Sequence, residues 1–186
     1  MQNFQEFLEN SLQQNIKKLI PLTGGASADI NRIILENNNE LIVRRSLSKE
    51  QSVMAIPKKL EAKIQRIVKS NDAPVPKIIF EFSEDEDIGE GYVMEAIPGE
   101  TIPRKILRDD NYENVRNKLS FEIGRSLATI HQTKLDELND LDKVTFEESL
   151  KKLYLVYSSF EQPQPVFELA FKWLEAQELI NYDNVL

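Results

Sequence analysis

The sequence predicts an α+β protein with a β-rich first half and a helical second half. Three observations carry this. Four β-like runs, "NRIILE", "ELIVRR", "KIIFEFS" and "GYVMEAI", all lie before residue 98. Pro98-Gly99 stops the last of them abruptly. From residue 102 onward the apolar residues recur only at helical spacings. The expected division is residues 1–97, a linker at 98–101, and residues 102–186.

Phe4, Phe7, Leu8, Leu12, Ile16 and Leu19 fall three and four apart, so the spacing predicts an amphipathic helix over residues 3–20. Asn37-Asn38-Asn39 separates two β-rich runs and reads as the turn of a hairpin. Leu60, Ile64, Ile67 and Val68 mark a helix that "SNDAPVP" ends, because proline and the residue before it resist the helical conformation. A second hairpin follows, with the acidic loop "EDEDIGE" as a solvated tip. Val115, Leu119, Ile123, Leu127 and Ile130 step along a long helix that finishes at His131. "FEESLKKLYLVYSSF" and "PVFELAFKWLEAQELI" are two more helices, the second opened by proline. Phe171 and Trp173 are expected in their core.

Composition narrows the function. Acidic side chains outnumber basic ones by 31 to 23 and no Lys/Arg cluster exceeds a few residues, which argues against a nucleic-acid partner. Cysteine is absent, so disulfides and thiolate chemistry are excluded. No apolar run approaches the roughly 18 residues of a membrane span. The N-terminus lacks a signal-peptide apolar core, and the expected location is the cytoplasm.

Four places offer chemistry. Gly24 and Gly25 in "LTGGASADI" allow backbone N–H groups to approach a phosphate, with Ser27 as a further donor, although a plain strand-connecting turn has the same composition. Alternation along "ELIVRR" sends Arg44 to one sheet face and Arg45 to the other; either is equally a solvated cation at a strand end. Glu61 flanks the apolar stripe of the next helix, and packing of that helix over the hairpin would bring it to Arg44 as a rigid anion clamp. The strand "GYVMEAI" runs into a linker and can present free backbone groups to a planar ligand, or it is simply an inner strand. His131, at a helix C-terminus, packs or caps.

In this order the segments resemble the aminoglycoside phosphotransferase and choline kinase-like family, which has the protein-kinase-like fold. The resemblance lies in "LTGGASADI" as phosphate loop, "LIVRR" as third strand, "EAKIQRIVKSNDAPVPKII" as the following helix and strand, "YVMEAIPGETIPRKILRD" as hinge, and "IGRSLATIHQTKLD" as the long helix of the large lobe. The hinge string is most like the branch related to hydroxyacyl-CoA kinases. The resemblance implies that residues 1–97 form a nucleotide-binding lobe, 98–101 a hinge, and 102–186 the first helices of a helical lobe. It gives Arg44 the α and β phosphates and Glu61 the ion pair that holds it. Met94 stands at the back of the adenine pocket, Glu95 and Ile97 offer backbone C=O and N–H to adenine, and Gly24, Gly25 and Ser27 close over the phosphates.

The implied activity is transfer of the γ-phosphoryl group of ATP to a hydroxyl of a small-molecule acceptor, with Mg2+. In this family the strand after the last helix carries a His-Gly-Asp motif, and "NVL" at the end of the chain is similar to the start of that strand. The catalytic loop and metal ligands are thus expected beyond residue 186, and the chain by itself is expected to be inactive. The contrasting reading is a non-catalytic nucleotide-binding or protein-interaction module. Oligomeric state and acceptor are not legible.

Overall fold

Asn3 starts the first helix, α1 (Phe4–Leu12), by accepting the Gln5 N–H on its side chain. The computed structural model describes residues 3–22, 29–47, 56–83, 87–134 and 144–177, together with 136, 138, 139 and 141. The chain divides into two units, residues 1–137 and 138–185.

The helix expected over residues 3–20 ends at Leu12. Gln13 takes a left-handed conformation (φ 53°) and closes the helix. Glu9 then accepts the Ile16 N–H on its carboxylate at 3.0 Å, which turns the chain into β1 (Ile16–Pro21). The spacing of Leu12, Ile16 and Leu19 fits a helix by coincidence. Pairing with the next strand, from Ile16–Leu35 to Pro21–Asn31, outweighs it. Pro21 is tolerated because β1 is an edge strand.

The remaining strands are β2 (Asp29–Leu35), β3 (Glu40–Ser46), β4 (Ile78–Ser83) and β5 (Glu90–Glu95). They form one five-stranded antiparallel sheet in the order β1-β2-β3-β5-β4, which makes the unit α+β, as expected. The Asn37–Asn39 turn joins β2 to β3, with Asn38 at φ 61° and the Asn37 side chain accepting the Asn39 N–H.

The two sheet faces are covered differently. On one, Ile33, Leu35, Val43, Phe82 and Val93 form the core with Leu8, Ile16 and Ile88, and α1 adds Phe4 and Phe7. Arg45 lies on this face, over the Phe4 ring at 3.5 Å and paired with Asp29 at 2.8 Å. Gly91 is its cross-strand partner. A Cβ there would stand 2.6 Å from both the Arg44 carbonyl oxygen and the Phe82 ring, so only glycine fits. The other face receives α2 (Lys58–Ser70), whose fully buried Ala62 packs on Ile78, Tyr92 and Met94.

After β5 come α3 (Pro103–Arg108), a 3-10 turn (Asp110–Tyr112) and α4 (Glu113–His131). Glu100 organises the start of α3 by accepting the Thr101 and Ile102 N–H groups and the Lys105 ammonium, contacts that hold its carboxyl below the usual range. No residue of α4 is buried, and Phe121 is 72% exposed.

In the second unit, α5 (Phe146–Ser159) opens on a reciprocal cap between Thr145 and Glu148, and α6 (Pro165–Glu175) opens on proline. Tyr154, Tyr157, Phe167 and Phe171 interlock between the two helices. Phe171 is core as expected. Trp173 is not: it sits on the opposite side of α6 with Val166 and Leu169, and is 61% exposed. Among the described residues no helix is long and apolar enough to cross a membrane.

Candidate functional site

Cross-strand register decides which side chains share the α2 face. Ile30 pairs with Arg44 and Arg32 with Ile42 across β2 and β3; Arg44 pairs with Tyr92 and Ile42 with Met94 across β3 and β5. These residues stand on one face because side chains alternate along a strand. α2 covers only the β4–β5 side of it. Over β1, β2 and β3, Ile20 and Leu22 remain about 40% exposed and Ile30, Ile34 and Ile42 are half-buried, with the partly exposed Arg32–Glu40 ion pair among them, so the strip is largely but not wholly apolar.

At one end of this apolar strip stands a charged cluster centred on Glu61. Its Oε1 lies 3.1 Å from Arg44 Nε and accepts the Tyr92 hydroxyl at 3.0 Å. Its Oε2 accepts Lys58 Nζ at 2.7 Å. The Arg44 contact is Coulombic only: the buried Nε–H does not point at the carboxylate and has no acceptor. The two Nη groups of Arg44 are not buried and make no hydrogen bond to the described residues. Two cations around one carboxylate leave the cluster with one net positive charge. Burial, and then the charge of Glu61, push the Tyr92 phenol well above its ordinary range, so it is a neutral donor.

The helix is fastened so that Glu61 has little freedom. Glu90 accepts the Lys59 N–H at the start of α2, where Pro57 offers no side-chain cap. Gln65 donates to the Pro76 carbonyl at 2.8 Å, and Arg66 pairs with Glu81 of β4 at 2.7 Å. These ties come from β4, β5 and the segment between α2 and β4.

At the other end of the strip β5 leaves the sheet. The Ala96 N–H donates to the Glu40 carbonyl, so Glu95 and Ile97 direct their backbone groups away from β3. The Glu95 N–H is taken by the Lys77 carbonyl, and the Lys77 N–H turns to the Glu95 carboxylate. Among the described residues this leaves the Glu95 C=O and the Ile97 N–H outside the ladder, an acceptor and a donor two residues apart. Ile97 is 59% exposed. Glu95 lies opposite Leu41, three residues from Arg44 along β3, or about 10 Å at the rise of a strand.

Of the residues singled out in the sequence, the structure brings Arg44 and Glu61 together and puts Met94 on the same face, packed on Ala62 and touched by Gln65 Nε2 at 3.8 Å. Gly24, Gly25 and Ser27 lie outside the described residues. The base of their segment is closed by the Leu22 N–H donating to the Ile30 carbonyl at 2.8 Å. Lys58 and Tyr92 were missed. Lys58 was legible as an i,i+3 partner of Glu61, but Tyr92 reaches the site through strand register alone. Neither His131, exposed at the end of α4, nor any other described group forms a metal cluster of three His, Asp or Glu.

Compared with known proteins, no curated protein matches the chain. The phosphotransferase enzyme family matches residues 18–184, nearly the full length. The antiparallel sheet with one helix inserted between its third and fourth strands, and an ion pair joining that helix to the third strand, agrees with the small lobe of the protein-kinase-like fold. On the extent of that match, the chain belongs to the phosphotransferase enzyme family.

Proposed function

We propose that this chain binds ATP across the open face of its sheet and serves an ATP-dependent small-molecule kinase. The acceptor would be a hydroxyl, in a molecule of hydroxyacyl-CoA or aminoglycoside type. The observation that carries this is the pairing of two ends of one largely apolar strip. One end holds a guanidinium in a cluster of two cations and one carboxylate, suited to phosphate oxygens. The other holds a backbone acceptor and donor in the spacing that a planar purine edge presents. Ile30, Ile42 and Met94 between them offer apolar contact for a base.

The roles are those that the family resemblance implies, and the placement of the described residues supports them. Glu95 C=O and Ile97 N–H orient the base, and their side chains are of little consequence. Arg44 takes the phosphates, and Glu61 keeps it from swinging away. Gly24, Gly25 and Ser27 lie outside the described residues, and their phosphate role rests on the family resemblance alone. Magnesium is the usual partner of phosphoryl transfer, where it neutralises charge on the transferred group. The described residues do not supply a site for it.

Isothermal titration calorimetry of the chain with ATP tests the reading, with adenosine and inorganic triphosphate as partial ligands. ATP is expected to bind, and each partial ligand more weakly. No heat from ATP, with the fold intact by circular dichroism, contradicts it.

A further inference from the structure

We infer that Tyr92 and Lys58 are positioning residues of the phosphate site, acting through Glu61 to keep the outer edge of Arg44 free for a phosphate; this rests on the nucleotide-binding reading above. A carboxylate facing a guanidinium ordinarily forms a two-pronged pair that uses two of its N–H groups. Here that pair does not form, although Glu61 Oε1 is 3.1 Å from Arg44 Nε. Each oxygen keeps a lone pair, but both are held in direction by other donors, because Oε1 accepts the Tyr92 hydroxyl at 3.0 Å and Oε2 accepts Lys58 at 2.7 Å, so the carboxylate is not free to turn to the guanidinium.

Both competing donors are themselves fixed. Tyr92 is 2% exposed, in the middle of β5, directly across from Arg44. Lys58 is 7% exposed in the first turn of α2. Glu61 therefore attracts Arg44 without consuming it. The guanidinium is held at the open strip with its Nε–H unfilled and its side chain 27% exposed, a poor arrangement for stability but a good one for an incoming anion. An unfilled buried donor is costly, and that cost is reduced if a bound phosphate draws the guanidinium into a new orientation.

The consequence is specific. Replacing Tyr92 by phenylalanine releases Oε1, which then pairs fully with Arg44 and withdraws its donors from the ligand. Replacing Lys58 by methionine releases Oε2 and acts in the same direction. Each change is expected to weaken ATP binding roughly five- to tenfold, about what one ordinary hydrogen bond contributes. The effect of either should vanish in an Arg44→Ala background, because no guanidinium remains to be withdrawn.

The test is a calorimetric double-mutant cycle with ATP on the full chain: wild type, Tyr92→Phe, Lys58→Met, Arg44→Ala and the two doubles, with circular dichroism confirming each fold. Weakening by Tyr92→Phe that disappears when Arg44 is alanine supports the inference. Unchanged affinity, or a loss that persists without Arg44, overturns it while leaving the nucleotide-binding reading in place. A wild type that binds no ATP overturns both. Should Tyr92→Phe fail to fold, the Lys58→Met arm, on a different element, decides by the same criteria.

Discussion

Arg44 and Arg45 are neighbours in sequence but belong to opposite sides of the sheet. Arg44 stands by Glu61 on the α2 side, whereas Arg45 lies 3.5 Å over the Phe4 ring of α1. The alternation of β3 therefore separates the cation proposed for a ligand from a cation for the fold, and the two should respond differently to substitution.

Arg44→Ala should reduce ATP affinity about 10- to 100-fold, the range of a charge-assisted contact. Its melting temperature should change little, since it forms no hydrogen bond within the described residues. Titration calorimetry beside thermal melts measures both.

Arg45→Ala should instead lower stability by about 2 kcal/mol, through loss of the ring contact and of the Asp29 pair. A sequence reading in which Arg45 is simply solvated would make this substitution silent. Its side chain is only 13% exposed, which is why it is not. Urea unfolding gives the number.

Glu61→Gln leaves Lys58 buried without a counter-charge, an arrangement that costs several kcal/mol where burial is complete and less here. Adding Lys58→Met should restore part of the lost stability, because a methionine fills similar volume without charge. Midpoints of chemical unfolding for the singles and the double check this.

The exposed apolar surface has a consequence in solution. Val166, Leu169 and Trp173 are each more than 60% exposed on α6, and Phe121 and Leu155 are as open on α4 and α5. Patches of this kind drive association. Sedimentation velocity should show mass rising with concentration, and Leu169→Lys with Trp173→Lys should reduce it without lowering the melting temperature. A monodisperse monomer over the whole range is the contrary result.

Stability should also fall at high pH through Tyr92. Its phenol pKa is raised in the folded state above the ordinary 10.0, first by burial and then by Glu61. Above that ordinary value the unfolded chain gives up the proton while the folded chain keeps it, so the stabilisation present below pH 10 is lost as the pH rises further. Melting temperatures measured from pH 9 upward should decline less steeply in Tyr92→Phe than in wild type.

Much of this was legible locally. The triple asparagine marked the β2–β3 turn, period-2 alternation split Arg44 from Arg45, and the helix after β3 offered Glu61 at the right place. What was not legible depends on pairing between distant segments. β1 was hidden because Leu12, Ile16 and Leu19 satisfy a helical spacing, and only the left-handed Gln13 and the partner strand decide against it. Tyr92 joins the site because β3 and β5 are neighbours in this register, which no local pattern specifies. The stacking of Arg45 on Phe4 requires α1 to lie across the sheet. Trp173 shared the spacing of a core residue, but the aromatic seam between α5 and α6 is filled by Tyr154, Tyr157, Phe167 and Phe171 instead.

The location of the nucleotide is the central claim, and amide chemical-shift mapping with ATP addresses it most directly. Titration of ATP into 15N-labelled protein should shift the Ile97 and Ala96 amides, the amides of β3 around Ile42 and Arg44, and the Arg44 side-chain Nε–H, and should leave the α1 helix and the α5–α6 pair unmoved. Shifts confined to α1 or to α5 and α6, with Ile97 and Arg44 silent, would contradict it.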